Sequence, residues 1–297
     1  MGTSHRHTPT VLGEPNWGNA SAAVTSIAGA EEKLDEIEKE LEGMGNPEDS
    51  DDNQENEERQ TKTANASPPP HIVKKQRQLD GQIRRNYHKA VSYLVKAAGG
   101  RSKVSSGASR AIGHAGISIA NGLVSVINEI VNNGLSDWLS RRGITSLEGK
   151  SCQDVLDLIK NYIEAGVAGL DNTAANEALE CVLDDLEAKV GDDLQSLEDV
   201  LTALMATDDV KNLLDKFFGM YVFSHLSQDF KEKLEYTKGT KVTNETMNEI
   251  KDLIMDDVQR SYGGRDASTI DWGTEDGKTF IQTEFDRILY ILSGDED

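Results

Sequence analysis

The sequence predicts an all-α protein: a multi-helix body of about eight or nine helices, preceded by an extended, largely disordered N-terminal arm. Three observations carry that expectation. From residue 71 onward apolar residues recur at spacings of three and four, and no stretch shows the strict alternation of a half-buried strand. Capping residues and glycines separate the periodic segments. Ser151, Asp171, Asp208 and Thr243 or Asn244 suit helix starts, and Gly191, Gly239 and Gly263-Gly264 suit stops. The third observation is the stretch 99–133, which has the composition of a helix enclosed by others.

In order along the chain, residues 1–29 show no sustained period and are rich in Gly, Ser, Thr, Asn and Pro, as an extended arm would be. Met1 precedes Gly2, whose small side chain permits removal of the initiator methionine. The amine then exposed has a pKa near ~7.7–8.0, so part of it is nucleophilic at neutral pH. Arg6 stands where myristoylation wants Ser or Thr. Ser4 stands where an amino-terminal copper site wants His, which leaves His5 and His7 as solvated tail residues. Trp17, the one large aromatic of the arm, is either a docking anchor for a partner or an ordinary surface residue.

Residues 30–42 predict a short amphipathic helix with Leu34, Ile37 and Leu41 on one side. Residues 43–70 hold a dense acidic run and end in Ser67-Pro68-Pro69-Pro70, the composition of a disordered linker. The all-helical domain is expected over 71–297. Its first part reverses the charge: ten Lys or Arg residues and the single acid Asp80 lie between Lys74 and Arg110. Lys74, Lys75, Arg77, Arg84, Arg85, Lys89 and Arg101 form a candidate basic patch for nucleic acid or an acidic partner. The alternative is an internal counterpart for the acidic remainder.

Next comes the enclosed segment. Gly107, Ala108, Ala111, Ala115, Ser118 and Gly122 would leave one helix side nearly bare, so that another backbone comes close. Leu123, Val126, Ile127 and Ile130 follow at helical spacing. In lipid, a helix over 108–131 would pack through its small residues, the basis for reading a membrane-active effector. Arg110, His114, Asn121, Asn128 and Glu129 argue against a span, which needs ~20 mostly apolar residues. Further helices are expected at 152–165, 172–190, 196–206, 208–234, 244–262 and 274–292.

A net charge of −21 opposes binding to polyanions as a general property. Cys152 and Cys181 are isolated, so a reducing, cytoplasmic setting without a metal site is expected. GITSLEGKS resembles a phosphate loop, but five residues separate Gly143 from Gly149 where four are needed. No HExxH, dinucleotide loop or nucleophile motif occurs, and His88, His114 and His225 stand alone in apolar-rich helices. A non-enzymatic protein without a bound cofactor is expected.

The start Met1-Gly2-Thr3-Ser4, the Gly/Pro-rich arm and the block Tyr87-His88-Lys89-Ala90-Val91-Ser92-Tyr93-Leu94-Val95-Lys96-Ala97-Ala98-Gly99-Gly100-Arg101-Ser102 together resemble the QatB family of the Qat anti-phage defence system. Ser109-Arg110-Ala111, Gly113 and the Leu-rich region 134–149 fit the same resemblance. It implies an operon with an ATPase, a QueC-like enzyme and a nuclease-like protein. QueC-like enzymes activate a carboxylate on a 7-deazaguanine with ATP, and in such operons the acceptor implied is a protein amine. Here that amine would be on Gly2, with Thr3 and Ser4 recognised beside it. The acidic insertion 43–60 is not part of the resemblance.

Overall fold

A computed structural model of the chain describes residues 15–44, 68–146, 149–164, 169–191, 194–260 and 266–294. Among these residues the regular structure is helical and no strand occurs. The α-helices are α1 (Pro15–Met44), α2 (Pro70–Ala97), α3 (Arg101–Ser105), α4 (His114–Asn133), α5 (Leu135–Ser140), α6 (Cys152–Glu164), α7 (Leu170–Val190), α8 (Leu194–Ala206), α9 (Asp209–Lys238), α10 (Thr240–Gln259) and α11 (Glu275–Ser293). Only α3 and α5 are one-turn pieces, of 5 and 6 residues, so the long helices agree with the number expected.

The first correction concerns α1. It starts at Pro15, within the stretch read as an arm to residue 29, and runs unbroken through the helix expected at 30–42. Ala20, Ala23, Val24, Ile27, Ala28 and Ala30 are buried along its inner side. That seam is built from small residues, which register weakly as hydrophobic period although they bring the helix close to its neighbours. Pro15 fits the first helical position, where its missing N–H costs nothing. Helix α2 begins at Pro70, and Ile72 is already buried in its first turn. Residues 45–67 of the expected linker lie outside the described residues.

The central helix is α4, which packs against α5, α6, α7, α8, α9 and α11. It begins at His114, not Ala108. Gly107 and Gly113 have φ of 73° and 116°, a left-handed backbone that ends helical continuity. At Gly113 a Cβ would sit 2.2 Å from the Val104 carbonyl oxygen, so the corner tolerates no side chain. Gly107, Ala108 and Ala111 therefore shape a turn instead of a helix face. The glycines within α4 admit side chains, not backbones: Tyr221 packs on Gly116 and Ile163 on Gly122. By length and composition α4 could cross a membrane. In the fold its Ile119, Leu123, Val126, Ile127 and Ile130 are buried against the other helices.

Helix α9 is the second axis, in contact with α1, α2, α4, α7, α8, α10 and α11. Its Phe218 stacks on Phe285 at 4.2 Å between ring centroids. Two expected caps act elsewhere. Asp208 precedes α9, but its carboxylate accepts the Ala267 amide at 2.8 Å. Helix α7 is preceded by Gly169, which frees Asp171 for a contact described below. Gly239, not Thr243 or Asn244, precedes α10. Ser151 and Asp154 do form a reciprocal box, at 2.8 Å and 3.1 Å.

Candidate functional site

Gly2, Thr3 and Ser4 lie outside the described residues. The structure does define the place from which they depart, the first turn of α1. Trp17 is half-buried there, its ring 5.2 Å from that of Phe230 on α9. With Leu94 and Ala97 of α2, the following Ala98, Ile112, Leu170, His225 and Asp229 it encloses a crevice of about 30 Å³. That volume suits a water molecule and no substrate.

Beneath this crevice a buried polar network ties three elements together. Asp171 Oδ2 accepts the Ala115 amide at 2.8 Å, and Oδ1 accepts the Gly113 amide at 3.3 Å and the Tyr221 hydroxyl. His225 Nε2 lies 3.1 Å from the same Oδ1. The Tyr221 hydroxyl in turn accepts the Gly113 amide at 2.5 Å. Asp171 thus caps α4 across the fold, where an anion suits the N–H groups and dipole of a helix start. Burial works against its charge, but hydrogen bonds from His225, the Ala115 amide and Tyr221 prevail, so its carboxyl titrates below the usual value. Burial pushes Asp229 up to about 6, opposed by His225. Burial and the nearby Asp171 raise the Tyr221 phenol far above its usual range. The Asp171 carboxylate and the Tyr221 hydroxyl are engaged in holding the 107–113 corner, so this part of the arrangement positions backbone.

Sequence reasoning did not find this network. Tyr221 and His225 stand four residues apart on one helix side, which is a visible signal. Their partner Asp171 is 50 residues away, and only the fold brings it to them.

The candidate basic residues divide into two groups. Arg84 is ion-paired with Asp257, whose side chain is 7 % exposed, and His88 lies 3.8 Å from the same carboxylate. Arg101 meets Asp286 at 3.3 Å and lies over the Tyr290 ring. These two arginines are internal counterparts to acids. Lys74, Lys75, Arg77 and Arg85 are exposed, Lys89 is half-buried, and none of the five makes an ion pair among the described residues. No cluster of His, Cys, Asp and Glu able to hold a metal occurs among the described residues.

A family model described as Qat anti-phage system associated protein QatB matches residues 104–292. No curated protein and no solved structure matches the chain. The matched segment spans the 107–113 corner, the central helix α4, the Asp171–Tyr221–His225 network and α9, and it is well over half of the chain. The chain belongs to the QatB family and is a component of an anti-phage defence system.

Proposed function

We propose that the helical body anchors and presents its N-terminal segment to a QueC-like enzyme of the same defence system. That enzyme joins a 7-deazaguanine to the Gly2 amine once Met1 has been removed. In that step the amine attacks a carboxylate activated as its adenylate. AMP leaves, the nitrogen loses a proton, and an amide forms.

One observation carries the reading: α1 is fastened at its very start. Trp17 packs on Phe230, Lys233 donates to the Ser21 hydroxyl at 2.8 Å, and Lys238 pairs with Glu32 at 2.7 Å. Whatever precedes Pro15 therefore departs from a fixed point. With Met1 removed, the thirteen residues from Gly2 to Glu14 reach at most about 43–47 Å when fully extended, enough to enter the active site of a neighbouring protein. The two other sequence-based readings have no observation of this kind behind them. Arg84 and Arg101 of the basic segment serve internal pairs, and the apolar residues of α4 are already covered.

The test is intact mass and N-terminal peptide mass spectrometry on the chain expressed with and without the neighbouring genes. A mass addition on Gly2 that needs the QueC-like protein and disappears in Gly2→Ala is expected. An unmodified terminus in cells actively restricting phage would overturn the proposal.

A further inference from the structure

Lys75, Lys89 and Lys96 are spaced by fourteen and seven residues along α2, with Gln82 at the intervening position. Seven residues carry an α-helix through almost two full turns, so such positions form a nearly straight line. From Lys75 to Lys96 the line is about 32 Å long at 1.5 Å per residue. Lys74 and Arg85 border it, both exposed. None of these five cations has an ion-pair partner among the described residues, whereas Arg84 on another side of the same helix is neutralised by Asp257. Asp80, the single acid of α2, lies toward α1 and α10 instead: the carboxyls of Glu31 and Glu249 are raised mainly by burial, and Asp80 is among the neighbouring acids that add to it.

The line also has a direction. Lys96 directly precedes Ala97 and Ala98, which wall the crevice holding Trp17. The row of free positive charge therefore ends where the N-terminal segment leaves the body. On a chain of net charge −21, a one-cation-wide row does not suit a nucleic acid, which the rest of the molecule repels. Bases would also find no open stacking surface on this helix, because Tyr87 is buried and Tyr93 is packed against the core. The row suits the acidic surface of a protein.

We propose that the enzyme acting on the N-terminal segment docks an acidic surface along Lys75, Lys89 and Lys96, which sets it beside the exit point of that segment. This rests on the presentation reading above. The experiment compares the full chain with its Lys75→Gln/Lys89→Gln/Lys96→Gln variant, each incubated with the purified QueC-like enzyme, ATP and a 7-deazaguanine carboxylate. Circular dichroism first establishes equal helicity and melting temperature.

The initial rate of mass addition is expected to fall on the order of tenfold in the variant at low salt, the loss that three surface charge contacts, from the exposed Lys75 and the half-buried Lys89 and Lys96, supply together. The gap should close as salt rises. Equal rates for both chains would overturn the docking proposal and leave presentation standing. No mass addition on the unaltered chain would overturn presentation, and docking with it. A 20-base-pair duplex bound by the unaltered chain and released by the variant would assign the row to nucleic acid, against this proposal.

Discussion

Replacing Gly116 by alanine tests how tightly the 107–113 corner is held. In an exposed helix interior the change would stabilise by about 1 kcal/mol, because glycine is the weaker helix former. Here the new Cβ would lie 2.6 Å from Tyr221 Cε1 and 2.8 Å from Cζ. The ring has nowhere to go. Tyr221 is fully buried, stacked on Phe217 and edge-on to both His225 and Phe285. Its hydroxyl is bonded to Asp171 and to the Gly113 amide. Overpacking of this kind costs about 1–3 kcal/mol, and pulling the hydroxyl from a buried carboxylate adds about 1.5 kcal/mol or more. After the helix-propensity gain, a net loss of about 2–3 kcal/mol remains. Urea unfolding followed by helical circular dichroism measures it, and the melting temperature should drop by about 3–6 °C. Gly122→Ala is the control. Its Cβ would meet only Ile163, closest at the Cγ2 methyl at 3.1 Å, the end of a half-buried side chain that can turn aside. A Gly116→Ala protein as stable as Gly122→Ala would refute the account of a corner locked through Tyr221.

Two further outcomes follow from buried charges. Glu284 sits among Lys211, Asp215 and Arg287, and burial together with the Asp215 carboxylate raises its carboxyl to about 7 from an ordinary 4.5. Between those values the folded chain keeps a proton that the unfolded chain has released, so stability declines as pH rises through that window. Urea midpoints at pH 5 and pH 8 should show a smaller decline for Glu284→Gln than for the unaltered chain, and identical slopes would count against the assignment. Arg84→Ala strands the buried Asp257 and should cost about 2 kcal/mol, toward the low side of a broken buried pair because Arg84 is itself 41 % exposed. Lys74→Ala, with no partner to strand, should stay within about 0.5 kcal/mol of the unaltered chain by the same urea assay.

The helical class was legible because long apolar runs such as Val210 to Leu234 keep the 3.6-residue period over many turns. The start of α1 was not. Ala20, Ala23 and Ala28 are as deeply buried as leucines elsewhere, but alanine occurs on surfaces as readily as in cores, so its spacing says little. The start of α4 was misplaced for a related reason. Gly107, Ala108 and Ala111 have helical spacing, and what ends the helix is the left-handed backbone at Gly113, forced by the Val104 carbonyl. That contact exists only after folding. The division of the basic segment was half visible. Its charge stood out from the acidic remainder, but which cations face Asp257 and Asp286 depends on how α10 and α11 lie against α2 and α3. The residues proposed for modification fall outside the described residues, so the structure bears on their point of departure.

That point of departure lies where two parts of the chain meet. The segment shared with the QatB family begins at residue 104, whereas α1 and all of α2 precede it. Helix α1 lies mainly on α2, and the family segment supports it as well: Phe230, Lys233 and Lys238 all belong to α9. They contact Trp17, Ser21 and Glu32 in rising order on both helices, so α1 runs parallel to the second half of α9. Crossing back, α2 brings Ala97 and Ala98 to Trp17 and its row of cations alongside. A freely hinged α1 would lack these contacts. The contacts of Trp17, Ser21 and Glu32 keep the base of α1 in place, as the presentation proposed above requires.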